Sequence, residues 1–307
     1  MLALISAPSN LGLRPPQPGS VPGTAKAPEA LREAGLHARL ADAGTVDVGV
    51  VLPGRYTDDV QPGVPRTRNQ DALLDHADRL AARIGEQLSQ GRAPLILGGD
   101  CSLLVAAGRA LSVRGRYGLV HIDGHTDFRH PGNSAKCYSL AGEDLAAAVG
   151  LHWPALTGPS GGYFRPEDTV HAGCRDDDEH LAEASRVLAQ LIPARRVREA
   201  GPTATADAVL RTVTGSSLDG YWLHLDVDVL DPDVMPAVDS PAPNGLLPGD
   251  LTEFLAELAP GAAGAQVTVF DPDLDPDGRY AVLLTDILAT GLQHLGARPH
   301  GLSSDRS

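Results

Sequence analysis

The sequence predicts an α/β protein built on a mostly parallel sheet with helices on both faces. Short apolar stretches alternate with helix-like stretches along the chain, and polar clusters directly follow three of the apolar stretches. Repeated strand–helix units favour a parallel sheet with helices packed on it. No linker or internal repeat divides the chain. We therefore expect a single domain over residues 1–295 and a disordered tail over 296–307.

Seven short apolar segments are predicted as strands. They span residues 2–6, 45–52, 94–97, 117–122, 169–172, 221–225 and 265–270. Segments with apolar residues every three to four positions, or with a typical start signal, are predicted as helices. One begins at Pro28, and the others span 69–90, 102–111, 179–191, 204–213, 248–258 and 279–295.

The composition excludes several classes of protein. The chain of 307 residues has 25 Lys and Arg against 39 Asp and Glu, a net charge of −14. A phosphate backbone would repel such a chain, so we expect no nucleic-acid partner. No apolar run approaches the roughly 18 residues of a membrane span, and the N-terminus lacks the basic start of a signal peptide. Three cysteines are too few for a disulfide scaffold, so we expect a cytoplasmic protein.

Polar clusters of metal-ligand type follow three predicted strands, at residues 98–102, 121–128 and 224–232. The ends of parallel strands are where ligands bind in such folds. The candidate ligands alternate along the chain or follow a glycine pair: Cys101, Asp123, His125, Asp127, Asp226 and Asp228. So many converging carboxylates destabilise a fold unless cations neutralise them. The set suits two divalent ions, with Mn²⁺ or Mg²⁺ favoured by the carboxylates and Zn²⁺ or Fe²⁺ as alternatives.

Each cluster has a simpler interpretation when it is taken alone. An Asp-Xaa-Asp pair is typical of turns and helix caps, and a single buried histidine is usually a hydrogen-bonded core residue. A Gly-Gly-Asp segment is commonly only a turn. The occurrence of all three at the ends of predicted strands favours the metal interpretation.

The three clusters resemble the motifs of the ureohydrolase superfamily, which includes arginase, agmatinase and formiminoglutamase. The matching segments are Gly-Gly-Asp-Cys-Ser at 98–102, Asp-Gly-His-Thr-Asp at 123–127 and His-Leu-Asp-Val-Asp-Val-Leu-Asp-Pro at 224–232. The resemblance implies a three-layer fold around about eight parallel strands. It also implies a pair of manganese ions, which activate a water that attacks an amidino or guanidino carbon.

The resemblance also implies a set of ligands for each of the two metal ions. The first ion would be held by Cys101, Asp123, Asp127 and Asp228, and the second by Asp123, His125, Asp226 and Asp228. Asp123 and Asp228 would be shared. Asp127 would carry the proton to the leaving amine.

Three departures from the family pattern concern the metal ligands and the substrate. Cys101 stands where most members have a histidine ligand, and its softer sulfur favours Zn²⁺ or Fe²⁺. Ala141 stands at the place of a histidine that follows the second motif in arginases, and His130 is the candidate to replace it. Val269 stands where arginases and agmatinases have a glutamate that binds the substrate guanidinium. Asp271, one strand position later, is the candidate to replace this glutamate.

Further substrate contacts are predicted from the loops. Asn133 and Ser134 lie in a loop that contacts the substrate carboxylate in the family, and Asp178 could bind an ammonium group. Solvated loops have the same composition, and a run of Asp before a helix is also typical of a helix N-terminus.

The leading hypothesis is a metal-dependent hydrolase that cleaves a C–N bond in a small linear amidine or guanidine and is not a standard arginase. An Nω-hydroxy-L-arginine hydrolase of a specialised pathway is the alternative within enzymes. A catalytically silent homologue that binds a metabolite is the alternative from another class. The complete ligand set argues against the silent homologue, because unneutralised carboxylates are costly. We also expect a homo-oligomer.

Overall fold

The computed structural model describes residues 1–41, 44–158 and 161–298. Eight strands form one sheet in this part of the chain. They are β1 (Leu2–Ala7), β2 (Val46–Val50), β3 (Ala93–Gly98), β4 (Tyr117–Ile122), β5 (Thr169–Ala172), β6 (Gln190–Ile192), β7 (Gly220–Asp226) and β8 (Gly264–Thr268).

The sheet is parallel throughout, as the alternating pattern predicts. Its strand order is β2-β1-β3-β8-β7-β4-β5-β6, and each neighbouring pair is parallel. Strands β4, β5 and β6 therefore follow one another outward to one edge of the sheet, β1 and β2 lie at the other edge, and β7 and β8 fill the space between β4 and β3. The carboxyl ends of β3, β8, β7 and β4 meet at the centre of one edge.

Helices cover both faces of the sheet. They are α1 (Ala27–Glu33), α2 (Leu36–Leu40), α3 (Gln70–Ser89), α4 (Leu104–Ser112), α5 (Asp144–Ala148), α6 (Pro154–Thr157), α7 (Leu181–Val187), α8 (Ala194–Ala200), α9 (Pro202–Val213), α10 (Pro248–Leu258) and α11 (Arg279–Gly291). No helix in these described ranges combines the length and apolarity that a membrane span requires.

Two apolar layers confirm the predicted three-layer architecture. One layer contains Leu31, Leu251 and Leu284 from α1, α10 and α11, and the other contains Leu80 and Leu104 from α3 and α4. The sheet lies between them. Its central strands β3, β7 and β8 are buried along their whole length, because both faces are covered.

Several predicted elements are wrong in their extent. The helix predicted over 279–295 ends at Gly291, and the strand predicted over 265–270 ends at Thr268. The helix predicted over 179–191 ends at Val187, and Gln190–Ile192 forms the edge strand β6. Leu188 has extended backbone angles, and the Gly173 N–H donates to the Ile192 carbonyl at 2.9 Å. The apolar spacing continues past the helix, but pairing with β5 overrides it.

The predicted tail begins with ordered residues. The Gly296 N–H donates to the Ala259 carbonyl, and the Arg298 N–H donates to the Pro260 carbonyl. Residues 299–307, the rest of the predicted tail, lie outside the described residues.

Candidate metal centre

The loop after β4 brings three candidate ligands to the centre of the sheet edge. Asp123 directly follows the strand and is fully buried. Its carboxylate accepts the His125 N–H at 2.7 Å, which fixes the turn. Asp127 has a positive φ of 46°, a conformation that few residues other than glycine adopt, and it lines a pocket above the edge. The strand end and the turn together aim these side chains at one region.

The end of β7 supplies the next two carboxylates. The Asp226 carboxylate caps a short 3-10 turn by accepting the Asp228 N–H at 2.8 Å. This turn carries Asp228 across to the loop after β4. There its carboxylate accepts the Gly124 N–H at 3.0 Å and lies 2.9 Å from His125 Nδ1. The two aspartates therefore face different partners although they are two residues apart.

Cys101 lies just beyond β3, in a turn whose shape depends on the preceding Gly99. A Cβ on Gly99 would come within 1.8 Å of the Ser9 carbonyl oxygen, so only glycine fits there. Cys101 is fully buried, and its Sγ donates to Asp226 Oδ2 at 2.8 Å. Burial, and then the charge of Asp226, raise the pKa of the Cys101 thiol well above its usual value.

Five groups of side chains in the described residues are close enough to hold an ion, and two of them consist entirely of predicted ligands. Cys101, Asp123 and Asp127 form the first group, and Asp123, His125 and Asp228 form the second; the ligand atoms of each group lie within 4.8 Å of one another. Asp123 is common to both. The carboxylate oxygen Asp123 Oδ2 is buried with no hydrogen-bond partner among the described residues.

The assignment of the two β7 aspartates differs from the expectation. Asp228 was expected at both metal positions and Asp226 only at the second. In the structure Asp228 contacts His125 of the second group, whereas Asp226 contacts Cys101 of the first. The 3-10 turn after β7 causes this separation, because it moves Asp228 sideways toward β4.

The cluster of buried carboxylates at the centre favours the binding of cations. Burial, and then neighbouring carboxylates, raise the pKa values of Asp123 and Asp127 well above their usual range; burial does the same for Asp226. Burial also acts to raise the pKa of Asp228, but His125 holds it below its usual value. Carboxylates that resist ionisation when unpaired ionise readily next to a divalent ion.

A pocket of about 450 Å³ opens over the metal groups. Among its lining residues are Asp127, Asp178, Asp239, Ala141 and Val269. Val269 has a φ of 71°, which is strained for a β-branched residue, and its N–H donates to the Gly99 carbonyl at 2.6 Å. The position at which the family pattern has a glutamate therefore presents an apolar side chain, Val269, to the pocket.

Asp271 does not replace that glutamate. Its carboxylate accepts the Gly23 N–H at 3.1 Å and the Asp273 N–H at 2.9 Å, both in loops beside the pocket. Asp239 is another acidic residue that lines the pocket, and burial raises its pKa.

The structure does not bring all of the predicted substrate residues to the pocket. His130 Nδ1 accepts the Gly132 N–H, and its Nε2 lies 3.3 Å from Glu183. The Asn133 amide donates to Glu183 and to the Phe128 carbonyl. These contacts hold the side chains within the loop, apart from the residues that line the pocket.

The other two predicted contacts differ from each other. The Ser134 hydroxyl accepts the Lys136 N–H inside the same loop, away from the pocket lining. Asp178 does line the pocket, and its carboxylate accepts both the hydroxyl and the N–H of Thr126. This brings Asp178 beside the second motif.

Sequence reasoning missed a layer of polar residues directly below the centre. His121 and His224 precede Asp123 and Asp226 by two positions, and Asp144 begins α5. All three are fully buried. The signal was present, because a strand has a period of two, so a histidine two residues before a ligand shares its face. Burial lowers the pKa of His121 to about 3.

Comparison with known proteins gives consistent matches. The protein-family model described as "Arginase family" matches residues 2–292 of this chain. An arginase from Bacillus caldovelox is 29% identical over 300 residues, which cover 94% of this chain and 97% of that one. The solved structure of arginase from Bacillus caldovelox superimposes with a TM-score of 0.82 at 26% identity, covering 95% of this chain and 97% of that chain.

A second relative has a different printed activity. An N(omega)-hydroxy-L-arginine amidinohydrolase from Streptomyces lavendulae is 34% identical over 185 residues, which cover 59% of this chain and 62% of that one.

Proposed function

The chain belongs to the arginase family, whose members are hydrolases of C–N bonds in linear amidines, and from this premise we propose that it cleaves a weakly basic guanidine or amidine with a pair of divalent ions. The observation that carries the proposal is the convergence of two ligand groups on Asp123 beneath a pocket. The proposal has two parts, the metal pair and the substrate.

The residues at the centre fit a metal pair. Asp123 Oδ2 is buried without a hydrogen-bond partner in the described chain, and the surrounding donors are carboxylates, one imidazole and one thiol. We propose that Cys101, Asp123, Asp127 and Asp226 hold the first ion, and that Asp123, His125 and Asp228 hold the second. The carboxylates favour Mn²⁺, whereas the Cys101 sulfur makes Zn²⁺ or Fe²⁺ the alternatives.

The protein residues have separate tasks in the reaction. When bound, the pair would supply an activated water and charge stabilisation for attack on the amidine carbon. Asp127 lines the pocket and lies at the first position, so its carboxylate can pass a proton to the leaving nitrogen. Asp178, held by Thr126, can accept a substrate ammonium.

The pocket favours a substrate of low basicity. A guanidinium above two cations is repelled unless a carboxylate compensates, and Val269 provides none. Ala141 also lines the pocket, and its methyl group cannot donate a proton as the histidine at this place in arginases could. One lost charge-assisted hydrogen bond costs about 1.5–3 kcal/mol, or one to two decades in rate. A neutral hydroxyguanidine avoids this repulsion.

An Nω-hydroxy-L-arginine hydrolase is the second candidate and is the narrower form of the same proposal. It is supported by Val269, which provides no carboxylate for a guanidinium, and by the similarity to the Streptomyces lavendulae enzyme. The silent homologue has no supporting observation, because each ligand type of the two groups is present.

A substrate screen tests the proposal. Protein loaded with Mn²⁺ is incubated with guanidino, hydroxyguanidino and formimino compounds, and release of urea, hydroxyurea or formamide, respectively, is measured. We expect hydroxyguanidines to exceed L-arginine and agmatine by at least about tenfold in kcat/KM. Protein stripped of metal is the matched control. Release from none of the compounds, by protein that holds two ions, would point to the silent homologue.

A further inference from the structure

Two chain segments that follow β7 and β8 pair briefly beside the pocket. Val238 and Phe270 form an antiparallel bridge. In an antiparallel pair, the residue after one partner lies opposite the residue before the other. Asp239 therefore lies opposite Val269, and both residues line the pocket.

This register brings a carboxylate next to the position where the family pattern has the guanidinium-binding glutamate. Opposing residues of antiparallel segments direct their side chains to the same face, with Cβ atoms typically about 4.5–5.5 Å apart. Val269 has no polar atom in its side chain. Asp239 is therefore the residue of this pair that can form a hydrogen bond with a ligand through its side chain.

The two oxygens of the Asp239 carboxylate have different surroundings. The Ser240 hydroxyl donates to Oδ2 at 3.1 Å, whereas no donor among the described residues reaches Oδ1. Burial raises the pKa of Asp239, and the Ser240 hydrogen bond and the charge of Arg14 oppose this shift. A half-buried carboxylate with one free oxygen is stabilised by a ligand that brings a hydrogen-bond donor.

The remaining acidic residues of the pocket that are not proposed metal ligands are either engaged or exposed. Both oxygens of Asp178 accept hydrogen bonds from Thr126, and Glu179 pairs with Arg129. Asp177 is exposed to solvent. Among the described residues that line the pocket, Asp239 thus combines partial burial with a free carboxylate oxygen.

The length of the side chain decides which group of a substrate Asp239 can reach. Aspartate is one carbon shorter than glutamate, and Asp239 extends from the segment opposite Val269. Its carboxylate is therefore set back relative to a glutamate at position 269. A bare guanidine nitrogen above the metal pair would fall short of this carboxylate, whereas a hydroxyl on that nitrogen extends the substrate by one atom. A hydroxyl that donates to a carboxylate forms a short, strong hydrogen bond.

We propose that Asp239 determines the substrate class by accepting, at Oδ1, a hydrogen bond from the hydroxyl of an N-hydroxylated guanidine. Ser240 holds the other carboxylate oxygen, which leaves Oδ1 toward the ligand. This role rests on the proposed function, because it requires that a guanidine binds over the metal pair. The neutral hydroxyl donates to the carboxylate, so no change of charge at Asp239 is needed.

A matched pair of substrates isolates the contribution of the hydroxyl. Nω-hydroxy-L-arginine and its O-methyl ether both carry oxygen on the terminal nitrogen, but only the first can donate a hydrogen bond from that oxygen. Wild-type protein loaded with Mn²⁺ should prefer the hydroxy compound by at least about tenfold in kcat/KM. Asp239→Ala, which also leaves more room for the methyl group, should reduce this preference to less than about threefold. Asp177→Ala, at another aspartate that lines the pocket, is the control and should keep the preference.

A longer side chain provides a second variant. Asp239→Glu should raise kcat/KM for L-arginine relative to the hydroxy compound by at least about fivefold, because its carboxylate would reach the guanidine nitrogen itself. A preference for the hydroxy compound that persists in Asp239→Ala would overturn the role of Asp239. The same holds for efficient L-arginine hydrolysis that the wild type performs and Asp239→Ala loses, since Asp239 would then bind a guanidinium.

The proposed function and the role of Asp239 can fail separately. Equal hydrolysis of both compounds by wild type and by Asp239→Ala would keep the proposed function and overturn the role of Asp239. If the metal-loaded wild type hydrolyses neither compound, the proposed function fails, and the Kd values of the two compounds are then measured by calorimetry. A Kd about tenfold lower for the hydroxy compound, lost in Asp239→Ala, would still support Asp239. Equal Kd values, or a difference that persists in the variant, would overturn its role.

Discussion

The ends of strands β7 and β8 lie side by side in the sheet but have opposite chemistry. β7 ends at Asp226 and leads to Asp228, whereas β8 ends before Val269, whose backbone is in a left-handed conformation. The first end supplies candidate metal ligands, and Val269 at the second end lines the pocket with an apolar side chain. The comparison indicates that the end of β7 keeps the family pattern of candidate ligands, while the end of β8 departs from the family pattern at the place of the guanidinium-binding glutamate.

Removing a ligand at the end of β7 should have the largest effect. Asp228→Asn should lower kcat/KM by at least about a thousandfold, which corresponds to about 4 kcal/mol, because the second ion loses its carboxylate beside His125. Metal content should fall in parallel. Asp233→Asn, at an exposed aspartate five residues later, is the control and should retain activity. Full activity of Asp228→Asn would remove the catalytic pair from the proposal.

Adding a carboxylate at the end of β8 should change substrate preference. Val269→Glu should raise kcat/KM for L-arginine by about tenfold or more relative to a hydroxyguanidine, because it provides a charge-assisted hydrogen bond to the guanidinium. Val269→Gln has the same length without the charge and should not produce this shift. Efficient L-arginine hydrolysis by the wild-type protein would show that another carboxylate, such as Asp239, already serves as the anchor.

Substitutions of Cys101 test whether the affinity of the first metal position depends on the ligand after β3 as well as on those after β7. Cys101→Ala should weaken the first ion by at least about tenfold while the second remains, and Cys101→His should strengthen Mn²⁺ binding. Titration with Mn²⁺ of both variants measures this. Equal metal affinity in Cys101→Ala and wild type would mean that the thiol only donates a hydrogen bond to Asp226.

The buried carboxylates should also make the stability of the metal-free protein depend on pH. The pKa values of Asp123, Asp127 and Asp226 are raised above the usual value of 3.8, so above about pH 4 the folded state binds more protons than the unfolded state. The stability contributed by these three groups should therefore fall as pH rises from about 4 toward 7, whereas the buried residues His121, His171 and His224, whose pKa values burial lowers, contribute stability that rises over the same range. The Tm difference between metal-loaded and metal-free protein, measured as a function of pH, isolates the carboxylates and should widen toward pH 7. The Tm of the metal-loaded protein should not fall over this range, since the ions replace the protons.

His130 should have the smallest effect. The sequence suggested it as a replacement for the histidine that Ala141 lacks, but its ring is held by Gly132 and Glu183 away from the pocket lining. His130→Gln should change kcat/KM by less than about threefold. A loss of two decades with unchanged Tm would instead assign His130 a place in proton transfer.

The sequence by itself determined the fold class and the candidate ligands. Apolar stretches alternating with helical ones predict a parallel sheet, and polar residues that follow a strand predict which side chains reach its edge. These are local properties, because they depend only on spacing along a strand and on the turn that follows it. Cys101, Asp123, His125, Asp127, Asp226 and Asp228 could therefore be named without coordinates.

Only the tertiary structure decided which of these side chains meet. The pairing of Asp226 with Cys101 and of Asp228 with His125 depends on sheet order and on a 3-10 turn. Asp144, at the start of α5, likewise lies 3.5 Å from His121 of β4 although the two are far apart in sequence. The edge strand β6 also depends on its parallel pairing with β5. Contacts between residues far apart in sequence are set by register and by the paths of loops, and spacing along the chain contains neither.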